Sequence, residues 1–328
     1  MTKKDIKIVF FGTPEFAVYS LDKLVQNGFN VAAVVTMPDK PAGRGHKMLQ
    51  SAVKQYAVEH NLPLFQPVKL KDDEFLNQLK AIGADLFIVI AFRMLPEAVW
   101  AMPPMGTFNL HASLLPRYRG AAPINRAIMN GDTETGVTTF MLQHEIDTGD
   151  VLSQVKVEIA PEDNIGDVHD RLMEVGGQLT LDTIEHLIAG DIKPIPQSEL
   201  EAKNGPTSAA PKIFTEDCII DWSRPAVEIH NQVRGLSPYP AARSSMANGG
   251  SEPEMMKILR TALSEKTTEN APGTIVVEGG KRMFVATGDG RLLEILEVHP
   301  AGKKKMSTDA FLRGAHLSNP HFMPLDSE

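Results

Sequence analysis

The sequence predicts an α/β protein with a Rossmann-like, doubly wound N-terminal domain and a small C-terminal β-barrel of OB-like character. Three observations predict it. Over the first 190 residues, strand-like and helix-like segments alternate, as in successive βαβ units. One of them, residues 85–91 (DLFIVIA), is apolar after its first residue, the mark of a strand buried on both faces. Beyond residue 211 the pattern turns to short strand-sized runs bounded by glycine, which suits an antiparallel barrel.

The elements follow in order. Residues 6–11 form a short apolar run ending at Gly12, a buried strand. Pro14 opens a helix to about Asn27, since proline suits a first turn where its missing N–H is not needed, and Gly28 stops it. A second strand is expected over 31–36 and a second helix over 51–60; shorter strands follow at 107–110, 137–142 and 151–159, with a helix at 122–129. Val168, Leu172, Val175, Leu179, Ile184 and Leu187 recur at helical spacing and predict one long helix over 164–189. Residues 191–211 contain Pro194, Pro196, Pro206 and Pro211 among polar residues and read as a partly extended linker. Strands are then expected at 218–222, 254–259, 274–278, 283–287 and 292–298, with a helix over 225–234. Gly279-Gly280 and Gly288-Asp289-Gly290 supply hairpin turns. The domains are therefore 1–190 and 212–328, joined by 191–211.

Composition excludes several classes. Of 328 residues, 42% are hydrophobic and 23% charged, so the chain is not largely disordered. Its longest uncharged apolar run, 86–92, is far short of the roughly 20 residues a membrane helix needs. The apolar stretch 8–11 is too short for a signal-peptide core. A single cysteine, Cys218, allows neither an internal disulfide nor a multi-thiolate metal site, and a cytoplasmic location is expected. The net charge of −8 lies almost wholly in residues 1–204, which carry −7. The remainder is near neutral and is free to present a basic face. The turn Phe11-Gly12-Thr13-Pro14-Glu15-Phe16-Ala17 has one of the three glycines a dinucleotide fingerprint needs, and no Walker motif occurs.

The densest chemistry lies between Phe108 and Asp150. Asn109 and His111 are two apart on a strand and project from one face. Asp147 sits in the turn Ile146-Asp147-Thr148-Gly149-Asp150, where its carboxylate can orient His111. Amide, imidazole and carboxylate together suit acyl transfer to an amine. The amide steadies charge developing on a carbonyl oxygen, and the imidazole with the carboxylate takes a proton. An isolated Asn-x-His is more often structural and an Asp-Thr-Gly is often only a turn. On these residues alone, catalysis and structure both stay open.

The string Asn109-Leu110-His111-Ala112-Ser113-Leu114-Leu115-Pro116, followed by Arg119-Gly120 and by Asp147-Thr148-Gly149-Asp150, resembles the folate-dependent formyltransferases. Further segments are similar to the branch that acts on aminoacylated initiator tRNA. They are the turn at 11–17, Pro38-Asp39-Lys40-Pro41-Ala42-Gly43-Arg44-Gly45, Arg119-Gly120-Ala121-Ala122-Pro123-Ile124, Ile220-Asp221-Trp222-Ser223, Arg234-Gly235-Leu236-Ser237-Pro238-Tyr239-Pro240 and Pro300-Ala301-Gly302-Lys303-Lys304. The likeness covers nearly the whole chain. It implies transfer of formyl from 10-formyltetrahydrofolate to the α-amino group of methionyl initiator tRNA, with no metal. Asn109 would polarise the formyl oxygen, His111 would assist deprotonation of the amine, and Asp147 would hold His111 and help relay the proton. Ser113, Leu114, Leu115 and Pro116 would wall the folate site, with Arg93, Met94 and Leu95 as further folate contacts. Without the likeness, Met94 and Leu95 would read as core.

The 38–47 insert is long for a strand-to-helix connection. Gly43 and Gly45 loosen it, and Lys40, Arg44, His46 and Lys47 make it cationic. From composition a solvated loop is favoured. The resemblance instead implies a tRNA contact led by Arg44, then Lys40 and Lys47. Lys303 and Lys304, in a lysine run that is usually only a soluble face, could likewise meet phosphates from a tRNA-binding barrel. Glu145-Ile146 and Ala241-Ala242-Arg243 depart from the family pattern. The expected partners are methionyl initiator tRNA and folate, with no membrane or DNA, and a monomer. The alternatives are a formyltransferase acting on a small amine and a non-catalytic RNA-binding protein on the same fold.

Overall fold

The computed structural model describes residues 2–42, 47–250 and 252–323, the side chains of Ala42 and Lys47 excepted. In chain order the elements are β1 (Lys7–Gly12), α1 (Glu15–Gln26), β2 (Asn30–Val35), β3 (Lys40–Ala42), β4 (Lys47–Leu49), α2 (Ala52–Glu59), β5 (Leu64–Phe65), α3 (Asp73–Ile82), β6 (Leu86–Ile90), α4 (Glu97–Trp100), β7 (Thr107–His111), β8 (Arg119–Gly120) and α5 (Pro123–Met129). There follow β9 (Glu134–Met141), β10 (Val151–Glu158), α6 (Ile165–Ala189), α7 (Gln197–Asn204), β11 (Ala209–Ala210), α8 (Ala226–Leu236), β12 (Ala242–Ala247), β13 (Glu254–Ala262), β14 (Ile275–Glu278), β15 (Arg282–Ala286), β16 (Leu292–Pro300), β17 (Met306–Ser307), α9 (Thr308–Gly314) and β18 (His321–Met323). The chain divides into two compact units. One comprises Met1–Ala121, Thr135–Glu158 and His169–Ala210; the other comprises Ala122–Glu134, Ile159–Val168 and Pro211–Glu328.

The first unit is built on a seven-stranded sheet of order β10-β9-β7-β6-β1-β2-β5. Strands β1, β2, β5, β6 and β7 pair in parallel, and β9 is antiparallel to β7. All five residues of β6 are buried, as its unbroken apolar run requires. From β1 the chain winds outward through β2 to β5, then returns to the other side of β1 for β6 and β7. The order therefore reverses between β1 and β6, and the carboxyl ends of these strands border the crevice where such sheets bind ligands. The helices are locally specified. Ser51 caps α2 by accepting from Lys54 N (3.0 Å), and Asp72 caps α3 by accepting from Phe75 N (3.2 Å). Gly83, in the left-handed conformation, ends α3.

The second unit is a barrel of order β14-β15-β16-β13-β12-β18, with β17 on β16. It comes close to closing where Phe322 N donates to Gly273 O (2.8 Å) and Thr274 bridges His321. Gly273 has φ +88°, and a Cβ there would stand 2.3 Å from Phe322 O, so closure requires glycine. Ile229, Val233 and Leu236 of α8 are fully buried in the barrel's core with Ile258, Val285, Leu293 and Val298. Trp222 stacks on Phe322 (centroids 5.2 Å apart) and its indole donates to Ser244 Oγ (3.0 Å), which donates to Met323 O (2.7 Å). Helix α5 belongs to this unit. Asn125 Nδ2 donates to Gly235 O of α8 (2.8 Å), and the bare Gly235 lies against Met129.

The sequence-expected strands and helices of the α/β part all form. Differences occur elsewhere. Residues 218–222, read as a strand, instead follow a 3-10 turn at Glu216–Cys218 and make one bridge, Ile219 to Arg243. Asp221 accepts from Ser223 N (3.0 Å) and Ser223 Oγ (2.6 Å), closing a local turn that competes with pairing. Residues 191–211, expected as a partly extended linker, contain α7. Among the described residues no helix is long and apolar enough to cross a membrane.

Candidate active site

Asn109 and His111 occupy the carboxyl end of β7, where Asn109 pairs with Val89 and Phe140 and His111 with Thr138. Strand alternation turns both side chains to one face. His111 is buried, and its Nε2 lies 2.8 Å from Tyr118 O. A carbonyl can only accept, so Nε2 carries the proton and the neutral ring keeps its lone pair on Nδ1. Nδ1 faces Asp147 Oδ2 at 3.8 Å, with side-chain exposures of 8% and 11%. An imidazole held this way can take a proton on Nδ1 and present the resulting N–H to a carboxylate.

Three local features hold Asp147. Its backbone is left-handed (φ 55°), a conformation Asp tolerates better than most residues. Its Oδ2 accepts from Gly120 N at 2.8 Å. The turn packs so tightly that a Cβ on Gly149 would fall 1.6 Å from Met141 O, which explains the glycine of Asp-Thr-Gly. Asn109 is half-buried, and its carboxamide has no hydrogen-bond partner among the described residues. A half-buried amide without a partner is available to a ligand.

Ser113, Leu114, Leu115 and Pro116 are all buried. Ser113 Oγ donates to Arg117 O (2.7 Å), and Leu115 sits in a small core with Phe140, Val151 and Leu200. This segment can therefore offer a ligand main chain and shape rather than free side chains. Thr138 and Gln154 brace it: Thr138 Oγ1 donates to Ser113 O (2.6 Å), and Gln154 Nε2 donates to Leu115 O (2.9 Å).

Arg93, Met94 and Leu95 follow β6 at the reversal of strand order. Arg93 donates to the carbonyls of Pro67 and Val68, and its burial lowers the guanidinium pKa. Leu95 is buried in a core with Phe11, Val89 and Val99, whereas Met94 is 68% exposed. Just after β1, Thr13 Oγ1 is buried without a hydrogen-bond partner among the described residues.

Lys40 and Lys47 lie on the hairpin β3–β4; Lys40 is exposed, Lys47 is placed by its backbone, and Arg44 lies outside the described residues. The base of this hairpin is tied down by Asp39. It pairs with Lys54 Nζ (2.5 Å) and accepts from Gln66 (2.8 Å), and these bonds hold its carboxyl below the usual range. Lys303 and Lys304 are exposed in the turn between β16 and β17. Among the described residues, no three His, Cys, Asp or Glu side chains are grouped as metal ligands.

Two site residues escaped the reading of the sequence. Gln197 and Asn204 open and close α7, two turns apart on one buried face with Leu200. Gln197 Nε2 donates to Asp147 O and Gly149 O (both 2.8 Å), and Asn204 Nδ2 donates to Leu115 O (2.8 Å). Their spacing was a signal, hidden by the surrounding prolines.

Comparison with known proteins gives the relatives of the chain as a whole. The family model described as formyl transferase matches residues 6–184, and the one described as formyl transferase, C-terminal domain, matches 212–316. The methionyl-tRNA formyltransferase of Bacteroides fragilis is 54% identical over 97% of this chain and 98% of its own length. That of Bacteroides thetaiotaomicron is also 54% identical, over 98% of this chain and all of its own length. Among solved structures, an N-formyltransferase from Helicobacter canadensis matches with a TM-score of 0.64 at 22% identity, covering 88% of this chain and 98% of that one, which is likeness of fold. With more than half of its residues shared along almost its whole length, this chain belongs to the methionyl-tRNA formyltransferase family.

Proposed function

We propose that this chain transfers the formyl group of 10-formyltetrahydrofolate to the α-amino group of methionine carried on initiator tRNA, with Asn109, His111 and Asp147 as its catalytic residues. The observation that carries the assignment is the unpartnered Asn109 amide on the same strand face as a buried His111 whose Nδ1 confronts Asp147. In this reading Asn109 donates to the formyl oxygen as negative charge develops there. The amine nitrogen must reach the formyl carbon neutral. His111 Nδ1 takes its proton, directly or through water, and Asp147 stabilises the imidazolium that results. As the new C–N bond forms, the bond from the formyl carbon to the folate nitrogen breaks, and that nitrogen takes up a proton.

The residues at the strand reversal fit a folate. Exposed Met94 offers an apolar surface, and main chain after β6 offers polar groups to a heterocycle's edge. The donor supplies the activated one-carbon unit. The chain's residues bind it through the 93–95 segment and the 113–116 wall, and orient its formyl carbon toward Asn109.

The β3–β4 hairpin, anchored by Asp39, is assigned to the acceptor end of the tRNA, with Arg44, Lys40 and Lys47 as its cationic contacts and Lys303 and Lys304 meeting phosphates from the barrel. Replacing Arg44 with alanine is expected to raise the KM for charged tRNA about tenfold or more and leave the KM for the formyl donor unchanged. Equal KM values for tRNA in the two enzymes would remove Arg44 from the contact. The function itself is tested by incubating the chain with formyl-labelled 10-formyltetrahydrofolate and either charged initiator tRNA or small amines. Label is expected on the methionine of the tRNA. Label on small amines only, or no transfer at all, would refute the proposal.

A further inference from the structure

We propose that Gln197 is a positioning residue for formyl transfer, locking the Asp147 turn onto the strand segment that also holds His111. The inference rests on the catalytic assignment above and names a residue outside it. Gln197 is 4% exposed, and its carboxamide is fully used. Both amide hydrogens go to carbonyls of the catalytic turn, Asp147 O and Gly149 O, at 2.8 Å each. Its Oε1 accepts twice from Arg119, from Nε at 3.0 Å and from Nη2 at 2.7 Å.

The position of Arg119 makes this more than packing. Tyr118, just before it, provides the carbonyl that orients His111 Nε2 (2.8 Å). Gly120, just after it, provides the N–H that holds Asp147 Oδ2 (2.8 Å). Three consecutive residues thus address the imidazole, Gln197 and the carboxylate, and Gln197 closes the circuit from Arg119 back to the main chain of Asp147. The separation of His111 Nδ1 from Asp147 Oδ2, 3.8 Å, is set by two backbone segments that share this one side chain. Both segments carry left-handed residues, Tyr118 at φ 59° and Asp147 at φ 55°, so each needs outside support to keep its conformation. Loss of the link leaves both catalytic side chains present with their mutual geometry loosened, which lowers turnover more than substrate binding.

The test uses the whole chain, three single variants, Gln197→Met, Gln197→Glu and Arg119→Met, and the double variant that combines the two methionines. Methionine keeps the length without hydrogen bonds; glutamate keeps an acceptor for Arg119 and loses both donors to the turn. Each Gln197 variant is expected to lower kcat about 10- to 100-fold with both KM values within about twofold of wild type. Gln197→Met combined with Arg119→Met is expected to cost little more than either alone, because the two changes break one link. Residues that only pack would change the thermal midpoint and leave the kcat of folded enzyme intact. Normal kcat in folded Gln197→Glu, or full additivity of the double variant, would overturn the proposal. Should Gln197→Met fail to fold, the glutamate and Arg119 variants decide the matter. Wild type assayed alongside distinguishes the failures: an inactive wild type removes the catalytic assignment itself, whereas an active wild type with unaffected variants removes only Gln197.

Discussion

Asn109→Ala is expected to lower kcat for formyl transfer by about a hundredfold to a thousandfold, the usual cost of removing one preorganised donor to a developing oxyanion. The magnitude follows from the site. The Asn109 amide is half-buried and has no partner among the described residues, so no internal bond must break before it meets the formyl oxygen. Truncation likewise leaves no internal group unpaired, and the fold is expected to tolerate it. Affinity for tRNA should be nearly unchanged, since charge on oxygen appears only as the reaction proceeds. Initial rates at saturating substrates, with a separate tRNA binding curve, check both halves. Turnover within a few-fold of wild type would sink the role given to Asn109.

Asp147→Asn is expected to reduce kcat by about a hundredfold or more, within the range for disabling a positioned acid–base pair. The substitution preserves shape: asparagine's oxygen can still accept from Gly120 N, and asparagine also tolerates the left-handed backbone at this position. What disappears is the anion facing His111 Nδ1 across 3.8 Å. Without it, the imidazolium formed on accepting the amine's proton loses its counter-charge in a buried place. The KM for the formyl donor should stay near that of wild type. The decisive control is a circular dichroism melt matching wild type. A stable Asp147→Asn enzyme with normal turnover would show that the carboxylate is structural.

The sheet was legible because its strands are specified locally. The runs at β1, β2 and β6 are apolar and ended by glycine or polar residues, and burial on both faces leaves them no other role. Asn109 and His111 could be placed on one face by strand alternation alone. Their relation to Asp147 could not, because it depends on a turn 36 residues later whose position is set by Gly149, Gly120 and Gln197. Helix α3 is legible too: Phe75, Leu76, Leu79 and Ile82 recur at helical spacing after the capping Asp72, although charged residues surround them. Helix α7 is hidden by composition: Pro196 and Pro206 flank it, and proline among polar residues favours an extended chain as readily as it opens a helix. Strand β18 was invisible for another reason. His321–Met323 carry little strand signal and are recruited by tertiary pairing with β12.

The assignment of α5 to the barrel unit bears on how the polypeptide reaches its native state. Asn125 and Met129 meet α8 at Gly235, a partner synthesised long after them. While the nascent chain emerges, α5 must wait with its inner face bare until α8 leaves the ribosome, so the N-terminal half cannot mature by itself in strict order. A fragment begun at Pro211 would meet the converse difficulty, displaying the unoccupied notch on α8 to solvent and to other copies of itself.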